Sequence, residues 1–302
     1  MAEAHDHGVP GEPPRVGADR RRLAIVLLAG AVITAVELVS GLVAHSLVLL
    51  ADAGHYFADL ASLGLALTAS TWAMRPADRQ HSFGHGRGGI LAAFLNAVLL
   101  WGIVGILVFE ALVRIQHPVA VDAPVVVGVG AFTLGANLAL ALFLRGGVTT
   151  NLNLRAAYLH LVSDGLGSAA AIAAGLVIAR WGVLLADPIA TLAVAALLAL
   201  FALRLSRDTA NILMEGTPAH LDPAEVERSI RSVPSVRSVH DLHLWTLGSG
   251  SEAMSVHVIL DGLPSGDRVT HAIQELVRDR YQIRHATVQV EAPDCPCGIA
   301  AH

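Results

Sequence analysis

Charge is what this sequence has least of. Asp, Glu, Lys and Arg make up only 15% of the 302 residues, while 54% are hydrophobic. A soluble domain carries about 25% charged residues, so the shortfall excludes a chain that is water-soluble throughout and points to membrane insertion. There is no basic excess either. The net charge is −5, which leaves no electrostatic footprint for nucleic acid. Cysteine is nearly absent: Cys295 and Cys297 are the only two, one residue apart. Such close neighbours rarely bridge, and two thiols make no disulfide framework, so the spacing suits a reducing compartment. No H-E-x-x-H segment occurs, which removes the common zinc-hydrolase helix. The opening residues, MAEAHDHGVPGEPPRVGADRRR, lack the apolar stretch of a signal peptide. Residues 1–22 read as a disordered polar tail, with His5 and His7 solvated.

What is present in quantity is long apolar sequence. Crossing a bilayer as a helix takes about 20 such residues, and six runs qualify: Leu23–Val43, Leu47–Ser70, Gly89–Leu112, Pro124–Leu144, Ala156–Ala179 and Val183–Leu203. Arg20, Arg21 and Arg22 precede the first. Arg75, Arg79 and Arg87 follow the second, Arg145 and Arg155 separate the fourth from the fifth, and Arg204 and Arg207 follow the sixth. The other connections hold only Arg114 and Arg180. This asymmetry places both termini in the cytoplasm. Residues 23–206 are thus a six-span transmembrane domain.

From residue 207 the texture becomes polar. DPAEVERSIRSV starts a helix with Asp222 as N-cap and Pro223 in the first turn. SVHDLHLWTL and EAMSVHVIL alternate like strands joined by the turn GSGS. SGDRVTHAIQELVRDRY reads as a helix, and RHATVQVEA as a strand. The order helix–strand–strand–helix–strand over residues 207–302 is that of a small α+β domain of ferredoxin-like type, soluble and cytoplasmic.

Against this background four intramembrane residues stand out. His55 and Asp59 lie four apart in the second span, and His160 and Asp164 lie four apart in the fifth. Each pair shares one helical face. A charge near the bilayer centre costs at least about 2.5–3.5 kcal/mol, so two such pairs on separate spans are poorly explained as packing contacts. Spans two and five run in opposite directions and can bring two imidazoles and two carboxylates to one point. That is a full tetrahedral set for a divalent cation such as zinc. Asp52, one turn before His55, reads as a helix-contact or water-facing carboxylate. Glu37 and Asp187 read as polar contacts between spans.

These motifs resemble the cation diffusion facilitator family. HYFAD and HLVSD correspond to its paired motifs, HSFGHGR to its loop after the second span, and VHDLHLW and HATVQVE to its cytoplasmic domain. The resemblance runs from about Leu23 to Glu291. It implies a homodimeric efflux transporter exchanging a divalent ion, here Zn²⁺, for protons. His55, Asp59, His160 and Asp164 would form the transport site, and His at the first position implies a preference for zinc. The resemblance also implies a second site from Asp78, His81 and His85. A regulatory metal site would come from His240, His257, His285 and Glu291, with Cys295 and Cys297 as further ligands. His243, at an odd spacing from His240, should point to the opposite face. The chain is then not an enzyme but a multi-pass protein of the plasma (inner) membrane. The alternatives are export of cadmium, cobalt, nickel or iron, and a membrane metal sensor.

Overall fold

The computed structural model describes residues 14–145, 152–248, 250–261 and 266–291. Six long helices come first: α1 (Pro14–Val43), α2 (Leu47–Ala73), α3 (Gly88–Gln116), α4 (Ala123–Leu144), α5 (Leu152–Trp181) and α6 (Ala186–Leu213). They are followed by α7 (Pro223–Arg231), β1 (Val236–Gly248), β2 (Ser251–Leu260), α8 (Gly266–Tyr281) and β3 (His285–Glu291). By contact the chain divides into two units. One comprises Met1–Ala61 and Leu99–Ala202, the other Ser62–Val98 and Leu203–His302.

Five described helices are long and apolar enough to cross a membrane: Ala24–Val43, Gly88–Gln116, Ala123–Leu144, Ala157–Trp181 and Ala186–Leu213. The sixth expected span, α2, is a helix of 27 residues. Asp52, His55 and Asp59 dilute its hydropathy, so length and composition do not place it with the others. Two element boundaries also differ from expectation. Helix α1 begins at Pro14, inside the stretch read as a tail. Helix α6 begins at Ala186 rather than Val183, because Gly182 turns the chain at φ 68° and Ala186 N–H bonds the Val183 carbonyl.

Within the first unit the interior is made of small and branched apolar residues, including Ala44, Val48, Ala51, Val104, Val126, Ala171, Ala174 and Leu198. Leu28, Val43, Ile106, Phe109, Leu166 and Leu200 face outward, as side chains in contact with lipid would. Helices α4 and α5 approach closely; a Cβ on Gly175 would lie 2.7 Å from Val127 Cγ2. Small residues at such crossings let backbones meet where no hydrophobic drive exists. One end of α2 is pinned. Asp187, at the start of α6, accepts from Ser46 Oγ (2.6 Å) and from the backbone N–H groups of Leu47 (2.8 Å) and Val48 (3.3 Å). These are the orphan donors of a helix N-terminus. Arg114 lies 3.7 Å from Asp187 and donates to the His45 carbonyl.

The C-terminal domain, in the second unit, has the expected element order around a mixed sheet ordered β1-β2-β3. β1 and β2 are antiparallel; β2 and β3 are parallel, joined through α8. Asp222 caps α7 by accepting from Ala224 N–H, with Pro223 in the first turn. One sheet face carries Val239, Leu244, Met254, Val256 and Val258 into a core with Val226 and Ile230 of α7 and Val269, Ile273 and Val277 of α8. The opposite face carries the histidines.

Candidate metal centre

Helices α2 and α5 bring all four intramembrane residues together. Each of His55, Asp59, His160 and Asp164 offers a ligand atom, and these atoms lie within 4.8 Å of one another. His55 Nε2 is 3.4 Å from Asp164 Oδ1, and His160 Nε2 is 3.3 Å from Asp59 Oδ2. Within each helix the i,i+4 pairs are 3.7 Å apart. Pairing therefore runs across the helices as well as along them, as convergence on a shared centre requires. The Asp164 side chain is fully buried, whereas His160 and Asp59 are 43% and 36% exposed. The cluster is thus sealed on one side and open on another. His55 Nδ1, Asp59 Oδ2 and both Asp164 oxygens are buried without a hydrogen-bond partner. Buried polar atoms left unpaired cost about 1–3 kcal/mol each, more for charged groups. Two nitrogen and two oxygen donors fit a tetrahedral divalent ion.

A cavity of about 180 Å³ adjoins the cluster, lined by Asp52, His55, Ser163, Asp164, Gly167 and Ala193, Val194, Leu197 and Leu198 of α6 among others. Asp52 is 1% exposed and accepts from Ser168 Oγ at 3.3 Å. Its carboxylate fits because residue 167 is glycine: a Cβ there would lie 2.2 Å from Asp52 Oδ1. Glu37 is buried completely, and its carboxyl faces Asp52 on α2 and Thr133 on α4, a polar contact between helices as the sequence predicts.

Asp78, His81 and His85 form a second cluster in the loop after α2. His81 Nδ1 is 3.2 Å and His85 Nε2 3.9 Å from the Asp78 carboxylate. Backbone N–H groups of His81 and Gln80 donate to Asp78 and hold its carboxyl below the usual carboxylate range.

On the C-terminal sheet His240, His257 and Glu291 make the third cluster. His257 Nδ1 is 2.8 Å and His240 Nε2 3.2 Å from the Glu291 carboxylate. His285 lies on the same strand as Glu291 but pairs with Ala253 at the strand's other end. There it makes an edge contact with Phe83, ring centroids 5.2 Å apart, and is not brought to the three-residue group. His243 does not point away from His240. Between them β1 carries a bulge, with Asp241 in the left-handed region at φ 54°, so that His240 opposes His257 and His243 opposes Ser255. One extra residue resets the alternation. Asp241 then lies 3.0 Å from His243 Nε2 and 3.7 Å from His257 Nε2. Cys295 and Cys297, like His5 and His7, lie outside the described residues.

Residues 23–214 match the family model for the cation efflux transmembrane domain, and residues 218–293 match that for the cation efflux protein cytoplasmic domain. The zinc transporter ZitB of Escherichia coli (strain K12) is 39% identical over 311 residues, covering 100% of this chain and 98% of that protein. The metal cation efflux system protein CzcD of Cupriavidus metallidurans is 35% identical over 306 residues, covering 100% and 94%. The cadmium, cobalt and zinc/H(+)-K(+) antiporter of Bacillus subtilis is 35% identical over 282 residues, covering 91% and 90%. A solved structure of the metal-bound C-terminal domain of the CzcD transporter is 39% identical, spanning 24% of this chain and 99% of that one, with a TM-score of 0.23.

Proposed function

The chain belongs to the cation efflux family, and on that premise we propose that it is a zinc–proton antiporter working as a homodimer in the plasma membrane. The carrying observation is the convergence of His55, Asp59, His160 and Asp164, with their buried carboxylate and imidazole atoms left unpaired. In this reading α2 is the sixth span: its polar residues face the site, and its 27 residues are long enough to cross. Both termini are cytoplasmic, residues 23–206 carry the transport pathway, and residues 207–302 form a ferredoxin-like regulatory domain.

Transport follows alternating access about a site within the bilayer. Zinc enters from the cytoplasm and meets two neutral imidazoles and two ionised carboxylates. Binding requires deprotonated ligands, so it releases protons. On the far side protons compete for the same atoms and help displace the ion. Histidine suits this exchange because its charge changes near physiological pH. The loop and sheet clusters are the supporting metal sites. Zinc on His240, His257 and Glu291 biases the dimer only through differential affinity for its arrangements. The relatives are named as transporters, which accords with a carrier rather than an enzyme.

The test is zinc uptake into sealed vesicles containing only this protein, with the interior acidic. Zinc should accumulate with the pH gradient and stop when the gradient is collapsed. Offering cadmium, cobalt, nickel and iron in the same assay decides selectivity, since affinity order alone does not. Vesicles that bind zinc at the surface and never accumulate any metal would refute transport and favour a sensor.

A further inference from the structure

Glu37 is the least accounted-for group in the described residues. It lies within α1, 0% exposed, and neither carboxylate oxygen has a hydrogen-bond partner. Its carboxyl faces Asp52 on α2 and Thr133 on α4, and Asp164 on α5 acts on it more weakly. Tyr56 of α2 completes the titratable groups around it. Helix α4 adds only neutral Thr133 and Asn137, the latter donating to the Tyr56 hydroxyl. Around Asp52 the seam is hydroxyl-rich. Ser168 Oγ donates to Asp52 and accepts from Thr133 Oγ1 at 3.1 Å.

Two carboxyl groups therefore sit side by side in an apolar interior; His55 acts on Asp52, while the groups that face Glu37 are acidic or neutral. Two buried carboxylates sharing a site do not both stay ionised; one takes a proton. A proton needs no cavity. It also turns an unpaired oxygen into a donor, making an O–H···O⁻ bond, which is among the strongest in proteins.

We infer that Glu37 is a proton-binding site beside the metal centre: it holds a proton against Asp52 in the metal-free chain and releases it when a divalent cation enters the neighbouring cluster. The inference rests on the reading of His55, Asp59, His160 and Asp164 as the metal site. In the step, the O–H bond on Glu37 breaks and the proton passes to bulk water. The carboxylate left behind adds one negative charge against the two positive charges gained. Coupling is then carried by a residue that is not itself a ligand, and one proton is exchanged beyond those the ligands lose.

The test counts protons released per zinc bound, by calorimetry of the full-length detergent-solubilised protein in buffers of different ionisation enthalpy. Glu37→Gln keeps the shape of the protonated group, so zinc should still bind while proton release falls by about one per chain. An unchanged count with zinc still bound overturns the inference and leaves the metal site standing; loss of zinc binding in the unaltered protein takes down both. A second measurement needs no variant. A hydrophobic carbodiimide, which modifies protonated carboxyls, should label Glu37 in the metal-free protein, and zinc should suppress the adduct seen by mass spectrometry. No adduct, or one indifferent to zinc, overturns it. So does a zinc-linked release of sodium or potassium in place of the proton, which would make the occupant an alkali ion.

Discussion

The intramembrane cluster and the sheet cluster use the same ligand types but leave them in different states. Asp164 is buried with both oxygens lacking a hydrogen-bond partner. Glu291, equally inaccessible, is already engaged: His257 Nδ1 lies at 2.8 Å, and Gln289 Nε2 donates at 3.0 Å. A metal entering the first centre fills open valences. One entering the second must compete with the Gln289 hydrogen bond to a charged group, worth about 1.5–3 kcal/mol. The difference suits a division of labour in which one centre carries cargo and the other responds to its concentration.

The harshest test of that contrast is Asp164→Ala. Losing a residue that merely orients a metal ligand costs about 10–100-fold, so losing the buried ligand should lower zinc flux by at least about 100-fold. Size-exclusion should still show an assembled protein. Near-normal flux would mean that the open cluster is not the pathway. His55→Asp should have a smaller effect. It exchanges nitrogen for oxygen and shifts the donor set away from the borderline-soft ligands that suit zinc, so the cadmium-to-zinc uptake ratio should rise several-fold. A constant ratio would place selectivity elsewhere.

The sheet cluster should answer differently. In pH-clamped vesicles, His240→Ala/His257→Ala should shift the zinc concentration for half-maximal flux by a few-fold while the maximal rate stays within about twofold, because a regulatory ligand acts only by differential affinity. Complete loss of flux in a folded dimer would erase the distinction between the two centres. The smallest effect concerns the loop. The folded-state value of Asp78 is depressed, so its bonds to the turn hold above the ordinary carboxylate range and are lost only as pH falls through the lowered value. The Asp78 carboxyl carbon should therefore titrate by NMR with a midpoint below about 3.9. An ordinary midpoint would show that the backbone donors do not hold it.

The paired His-x-x-x-Asp motifs were readable because a helix repeats every 3.6 residues whatever surrounds it, so spacing alone put each pair on one face. The Asp222 cap and the element order of the C-terminal domain were readable for the same local reason. Nonlocal facts were not. The bulge at Asp241 depends on how β1 pairs with β2, and simple alternation sent His243 to the wrong face. The parallel pairing that sets His285 against Ala253, and so away from Glu291, is likewise a matter of register. Glu37 is legible as a contact between helices, but that the group facing it is another carboxyl, Asp52, is a property of the fold. The polar residues that make α2 stand out in the sequence also leave it outside the five described helices long and apolar enough to cross a membrane.

The Asp187 clasp fixes the level of the cluster in the bundle. It ties the N-terminus of α2 to the start of α6, and at about 1.5 Å per residue His55 and Asp59 lie roughly 12 and 18 Å along the helix from that anchor. The depth at which α2 offers an imidazole and a carboxylate to α5 is therefore set by a carboxylate on a third helix, through bonds that donate nothing to the cluster itself.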